Sequence, residues 1–297
     1  MSKKRTFIIG DEWLYFKVYT GFKTADTILT DTIFPLAQYF LKENWIDHWF
    51  FIRYADPQFH LRIRFHVTKN ENTAPIIHYF NNAIQDYINQ DTVWKVQIDT
   101  YQREMERYGI ELIELFEKLF NLCSETVCKT IALDAVKQDE NLRWLSGLKM
   151  MDTSLTDFGY SLQEKWALLN TLQDGFGKEF NIDKDSRRQF GQKYRAEKNS
   201  IEKILDKNSE QDGEYALLFK PIFEKSEVSK FIIEEIKNRK HEGAKAESRK
   251  DFSLNDLMSS YIHMMLNRLF RTQQRAHELV LYDYLFRYYN SLQARQK

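Results

Sequence analysis

Cysteine, proline and glycine are scarce in this chain, with 2, 4 and 10 copies among 297 residues. Two cysteines cannot make a disulfide framework. Cys123 and Cys128 lie five apart in a stretch of helical pattern, without metal-ligand spacing, and are expected to be buried thiols in a reducing compartment. No proline falls between Pro75 and Pro221, so a long middle section carries no helix breaker of that kind. An excess of one charge is missing too, because 43 Lys plus Arg balance 43 Asp plus Glu. No global field exists to draw in nucleic acid or an anionic membrane, and no direct nucleic-acid partner is expected.

Long apolar runs are absent as well. No stretch approaches the ~20 apolar residues of a membrane span, and after the basic start MSKKR the run Phe7 to Ile9 is too short for a signal peptide. The expectation is a cytoplasmic protein. The phosphate loop G-x-x-x-x-G-K-[ST], the dinucleotide fingerprint G-x-G-x-x-G, H-E-x-x-H and G-x-S-x-G are all missing, which leaves nucleotide, metal and acyl-serine mechanisms unsupported. No cofactor and no metal are expected.

What the chain does have is apolar and aromatic mass, 43% hydrophobic with 22 Phe and 16 Tyr, enough for a full core. Trp13 to Tyr19, Trp49 to Tyr54, His60 to Val67 and Val93 to Tyr101 carry the β-branched and aromatic content of strands. Asp56-Pro57 marks the turn of a hairpin. Asp26 to Phe40, with Pro35 near its middle, and Thr73 to Asn89, with Thr73 as its cap, have helical spacing. From Ile110 the pattern is helical, in Ile110 to Phe120, Glu125 to Val136, Ser161 to Phe176 and Tyr215 to Ile236. Asp183 to Gly213 is poor in apolar residues, and 238–250 reads as a charged, flexible linker. Ser253, with Asp256 three residues on, opens the last helical hairpin as a capping-box variant. The fold class is therefore α+β, a mainly antiparallel sheet in the N-terminal part with a mostly helical C-terminal part packed on it. One domain, 1–297, is expected, with an α+β lobe over about 1–110 and a helical lobe over about 111–297.

Three clusters carry chemistry. In a strand alternate side chains share a face, so His60, Arg62, Arg64 and His66 line one side while Leu61, Ile63, Phe65 and Val67 line the other. Arg62 and Arg64 would project in parallel roughly 7 Å apart. That suits a ligand with two carboxylates, since guanidinium grips a carboxylate bidentately. Taken alone, this is equally well a solvated face whose arginines meet surface acids. The second cluster, TYQREMERYG, places Arg103, Glu104 and Arg107 at a strand end, with Glu104 and Arg107 neighbours at i,i+3. The third is SYIHMMLNRLF. There Leu254, Leu257, Met258, Tyr261, Met265 and Leu269 form an apolar stripe, and Ser259, His263 and Asn267 a separate polar one. Arg268 follows, and Glu278 stands one helix later.

The blocks WFFIRYADPQFHLRIRF, DTYQREMERYG and SYIHMMLNRLFRTQQRAHELVLYDYL, in that order, resemble the C-terminal elimination domain of lantibiotic dehydratases, also found as free-standing thiopeptide-type bacteriocin biosynthesis proteins. The resemblance runs from Trp13 to Tyr289, with little signal between about 140 and 250. It implies a lyase. A separate protein would esterify Ser or Thr of a ribosomally made precursor peptide with glutamate, and this chain would expel the glutamate to leave dehydroalanine or dehydrobutyrine. By the same resemblance, Arg62 and Arg64 match arginines that grip the glutamyl group and the leaving carboxylate. Glu104 and Arg107 match the acid and arginine of a Y-x-R-E-x-x-R-Y-G-like block, His263 a histidine in proton transfer, and Glu278 a group orienting it. Arg103, His60, Arg268 and Glu278 are expected on the substrate-binding side. The family's acidic-serine turn reads NLCSE here, Asn121 to Glu125.

The partners implied are the glutamylated precursor and the glutamylating dehydratase protein, and a homodimer is left open. Two other readings stand beside elimination. Thiopeptide pyridine synthases, which join two dehydroalanines by cycloaddition, resemble the same fold, and a non-catalytic leader-peptide or partner-binding module would use a sheet edge.

Overall fold

The computed structural model describes residues 3–139, 141–206, 213–245 and 253–296. Its N-terminal part is organised by a four-stranded antiparallel sheet. β2 (Trp13–Thr20), β3 (Ile46–Ala55), β4 (Phe59–Val67) and β5 (Val93–Ile98) run in the order β3-β4-β2-β5. A two-stranded sheet pairs β1 (Thr6–Phe7) with β6 (Tyr101–Gln102). The expected strand over Val93 to Tyr101 is thus divided, because the chain leaves β5 after Ile98 and its last residues pair elsewhere.

Alternation gives the four-stranded sheet two unlike faces. Leu14, Phe16, Val18, Leu61, Ile63 and Phe65 are buried against α2 (Phe34–Lys42) and α3 (Thr73–Asn89). Phe16 stacks on Phe80 at 3.9 Å, and Phe65 meets Phe40 edge-on at 5.6 Å. The opposite face carries the arginines. Across the ladders Arg64 sits opposite Tyr15 and Phe50, and Arg62 opposite Lys17 and Ile52.

Helix Asp26 to Phe40 begins earlier than its pattern predicts, as α1 (Phe22–Thr27), and passes through a π-helical turn, Ile28–Ile33, into α2. Pro35 is the physical reason. A proline offers no N–H and crowds the carbonyl four residues back, and the wider turn before it lets the helix restart with Pro35 in its first turn. Thr73 is not the cap of α3. It lies inside the first turn, and its hydroxyl is buried without a hydrogen-bond partner.

The outer edge of β3 is closed by side chains of α5 (Ile113–Lys137). The Trp49 N–H donates to Asn121 Oδ1 at 2.9 Å and the Phe51 N–H to Ser124 Oγ at 3.2 Å. NLCSE therefore serves as an edge cap, which is how exposed strand edges are commonly blunted. Cys123 and Cys128 are free and buried in the same helix, and burial pushes the Cys128 thiol up.

The chain divides into two compact units, Met1–Ala132 with Glu234–Leu257, and Leu133–Ile233 with Met258–Lys297. The first keeps the sheets, α1 to α3, the short α4 (Met105–Tyr108) and most of α5. The second is built from α6 (Leu142–Asp157), α7 (Leu162–Glu179), α8 (Lys184–Leu205) and α11 (Gln274–Gln296), with parts of α9 (Gly213–Lys245) and α10 (Leu254–Leu269). In it α11 packs on α6, α7 and α8 and buries Tyr282, Tyr284, Tyr288 and Tyr289. Gly147 in α6 allows a close approach, since a Cβ there would lie 3.0 Å from Leu281 Cδ1 and 3.3 Å from Leu269 Cδ2.

Within the helical half, α6 lies between the individually named helices, and the apolar-poor segment after Asp183 is α8, capped by Asp183, which accepts from the Ser186 N–H at 2.8 Å. Its Lys, Arg, Gln and Glu are good helix formers, so a few buried anchors such as Ile201 and Ile204 suffice to hold it. The same composition makes the expected linker 238–250 helical through Lys245, and its remainder, 246–250, lies outside the described residues. Ser253 caps α10 as expected, with the Asp256 N–H on Ser253 Oγ at 3.1 Å and the Ser253 N–H on Asp256 Oδ2 at 3.2 Å. No helix among the described residues is long and apolar enough to cross a membrane.

Candidate functional site

The cationic sheet face is built around an arginine that no carboxylate bonds directly among the described residues. Arg64 is 6% exposed, and its guanidinium lies over the rings of Tyr15, Tyr101 and Phe50 at 4.5, 4.8 and 5.1 Å. Its Nε is buried without a hydrogen-bond partner. Burial lowers its pKa while the Tyr15 and Tyr101 hydroxyls and Glu104 counteract, and an arginine remains charged regardless. A buried charge left without a partner is costly. Three aromatic faces offset part of that cost.

Arg62, one step along the same face, is partly exposed and stacks on Tyr54 with its Cζ 3.5 Å from the ring centre. Its Nε donates to His60 Nε2 at 3.2 Å. His60 is buried and its Nδ1 meets the Gln58 carbonyl at 2.9 Å, so Nδ1 carries the proton and Nε2 accepts. Burial lowers the His60 pKa, and the positive charges of Arg62 and Lys17 press in the same direction. The neutral imidazole thus fixes Arg62 while its terminal NH groups stay unclaimed. Lys17, opposite Arg62, pairs with Asp99. Among the described residues Lys17, Arg62 and Arg64 together therefore meet one directly bonded acid, and the face keeps a surplus of positive charge.

Glu104 and Arg107 pair at the start of α4, with Arg107 Nε 2.9 Å from Glu104 Oε2 and both side chains half exposed. Gly109 follows at φ +74°, which ends the short helix with a conformation side chains resist. Arg103 is placed otherwise than expected. It is buried, and its Nε and Nη2 donate to the two oxygens of fully buried Glu117 at 2.8 and 2.7 Å. The Tyr101 hydroxyl donates to the same carboxylate at 2.8 Å. The Arg103 fork is thus occupied by a buried acid within the fold.

In the second unit, His263 is held by an acid of the next helix. Glu278 is fully buried, and its Oε1 lies 2.9 Å from His263 Nδ1. Gln274 contacts the same carboxylate, Arg275 Nη1 is 3.5 Å from its other oxygen, and Gln274 Nε2 also donates to the His263 carbonyl at 3.1 Å. Asn267 in turn donates to Gln274 Oε1 at 2.7 Å. With Nδ1 committed to a carboxylate, the Nε2 side of a ring whose side chain is 27% exposed is the one free to exchange a proton. Glu278 is fully buried behind His263. Arg268 is fully buried too, with Nη1 donating to the Met264 carbonyl at 2.9 Å.

The structure thus groups His60, Arg62 and Arg64 on one sheet face. Glu104 is close enough to act on Arg64 electrostatically, and His263 pairs with Glu278. Sequence reasoning missed Tyr15, Lys17, Tyr54, Asp99, Tyr101 and Gln274. Tyr15 and Lys17 alternate in β2 as Arg62 and Arg64 do in β4, and Gln274 stands four residues before Glu278, so periodicity carried a signal for those three.

These features define an α+β protein with a cationic sheet face. The chain belongs to the lantibiotic biosynthesis dehydratase C-terminal family, whose model matches residues 13–289. The subtilin biosynthesis protein SpaB of Bacillus subtilis is 25% identical over 283 residues, which are 91% of this chain and 25% of that protein. The chain spans about a quarter of the length of that curated relative. Among solved structures, the tRNA-dependent lantibiotic dehydratase MibB from Microbispora sp. 107891 shares the fold at TM-score 0.74 and 20% identity, over 98% of this chain and 29% of that one. TbtD, a pyridine synthase from thiomuracin biosynthesis, shares it at TM-score 0.64 and 13% identity, over 95% and 98%. TsrL does so at TM-score 0.62 and 15% identity, over 95% and 96%.

Proposed function

We propose that this chain eliminates glutamate from O-glutamylated Ser or Thr of a ribosomally made precursor peptide, working in the cytoplasm with a separate glutamylating protein. The observation that carries this reading is the cationic sheet face, where Arg64 is buried without an acid and Arg62 is held ready by His60 and Tyr54. In the reaction a base takes the Cα proton, the Cα–Cβ double bond forms, and the Cβ–O bond breaks to release a carboxylate. The substrate carries one carboxylate on the glutamyl group and gains a second as glutamate departs. Two guanidinium groups on one strand face match that development of charge. His263, oriented by Glu278, is the proton-transfer group. Family membership and the likeness to MibB support the reading.

The test is mass spectrometry of a synthetic peptide bearing a glutamyl-Ser ester, incubated with this protein. Loss of glutamic acid with formation of dehydroalanine is expected. Hydrolysis back to serine, or an untouched ester even when leader peptide and partner protein are supplied, would overturn it. The likeness to TbtD along nearly that protein's whole length favours cycloaddition as the second reading. A bis-dehydroalanine peptide given to the same protein separates the two, since elimination leaves it unchanged.

A further inference from the structure

We propose that Asp47, His48 and His66, at the end of the sheet face that carries Arg62 and Arg64, form a binding site for a divalent transition-metal ion of the zinc type, made of none of the side chains assigned to the proposed reaction. The inference starts from a backbone irregularity. In a regular strand consecutive side chains point to opposite faces, so Asp47 and His48 could not act together. The β3–β4 ladder shifts register between Ile46 and His48, where Ile46 pairs with Val67 and His48 already pairs with His66. Asp47 is the extra residue of a β-bulge, a device that re-aims side chains. It turns the Asp47 carboxylate toward the two imidazoles.

The outcome is convergence. Nδ1 of His48 and Nδ1 of His66 each lie 2.6 Å from the same oxygen, Asp47 Oδ1, and the three ligand atoms all fall within 4.8 Å of one another. The imidazoles stack at 4.5 Å, and Trp13 braces both edge-on at 4.9 and 5.1 Å. His48 is only 9% exposed and its Nε2 is buried without a hydrogen-bond partner. An apolar ring would fill that place without stranding a nitrogen, so what the imidazole adds there is its Nδ1.

Two imidazole nitrogens and one carboxylate oxygen suit zinc, whose bonds to them are about 2.0–2.2 Å, with a fourth position left for water or a carboxylate. Tetrahedral ligation at that length needs donor atoms about 3.3 Å apart. Both Asp47 Oδ1 contacts, 2.6 Å, are shorter than that spacing, and the Asp47 side chain, 54% accessible, has room to withdraw from the imidazoles. Nickel and copper(II) use the same donors, and a Ca²⁺ or Mg²⁺ ion would not choose imidazoles.

The experiment is calorimetric titration of chelator-treated protein with ZnCl₂, alongside the absorption spectrum of its Co²⁺ complex. One tight equivalent and the visible bands of low-coordinate cobalt are expected. Asp47→Asn and His66→Gln, both at accessible positions, should each weaken binding by more than about tenfold while leaving the thermal melt of the metal-free protein close to that of the parent. The chain has 7 histidines, so zinc binding that survives both substitutions unchanged would lie elsewhere and overturn the assignment. Absence of a binding isotherm in the parent protein would do the same, leaving the trio a hydrogen-bonded clasp of the hairpin.

Discussion

Glu278 Oε1 stands 2.9 Å from His263 Nδ1, a fully buried carboxylate steadying a partly exposed imidazole. The pairing fixes the tautomer and leaves Nε2 as the working nitrogen. If His263 moves the Cα proton, His263→Ala should lower the elimination rate by about 10²–10⁴-fold and trap glutamylated peptide, seen by mass spectrometry. Glu278→Gln should lower kcat with little change in KM. An unaltered kcat in folded Glu278→Gln protein would mark Glu278 as structural only.

Arg64 sets function against stability. Removing a buried charge that no acid neutralises relieves a desolvation cost, so Arg64→Met should leave the protein as stable as the parent or more so by denaturant titration. The same variant should accumulate glutamyl adducts instead of dehydrated peptide. Arg64→Lys should fail as well, because a point charge reproduces neither the fork nor the stacking on Tyr15 and Tyr101. A clear loss of stability in Arg64→Met would make the residue part of the core's support.

Arg103 and Glu117 predict the reverse. Their bidentate pair is buried, and deleting one partner strands the other, at a cost of about 3–5 kcal/mol. Glu117→Ala should therefore shift the unfolding transition by that amount in chemical denaturation. Any activity lost should return in proportion to folded protein.

Acid should weaken the first unit through His60. Its folded-state pKa lies below the ordinary value because of burial, with Arg62 and Lys17 adding to the effect. Just under the unfolded value of about 6.5 the unfolded chain binds more protons than the folded one. Stability is therefore full above that pH and declines as pH falls through the lower folded value. His277, lowered mainly by burial, acts in the same window in the second unit. Unfolding midpoints compared at about pH 7.5 and about pH 5.5 should differ less in His60→Gln than in the parent, because glutamine does not titrate.

Much of the architecture was legible because periodicity is local. The period of two in HLRIRFHV is enough to put Arg62 and Arg64 on one face and Ile63 and Phe65 on the other, and helical spacing alone separates His263 from the stripe of Leu257, Tyr261 and Met265. Capping was legible at Ser253, whose partner Asp256 is three residues away, but not at Thr73, where the preceding Asn72 begins the helix. Helices that lack strong apolar stripes, such as α8, escaped notice because their few anchors are decided by what packs against them.

What the sequence determined by itself was therefore the side of each element on which a residue lies, since backbone geometry and short-range sterics settle that. Which charges remain available was decided by tertiary structure. Arg103 and Arg64 look alike as strand arginines, yet Glu117, fourteen positions along the chain from Arg103, neutralises one while three aromatic rings surround the other. The bulge that turns Asp47 toward His66, nineteen positions away, is likewise a matter of strand register. Such partners meet only when distant segments pack, and the loss of water around them is what turns a charged side chain into a buried ion pair, a caged cation or a ligand.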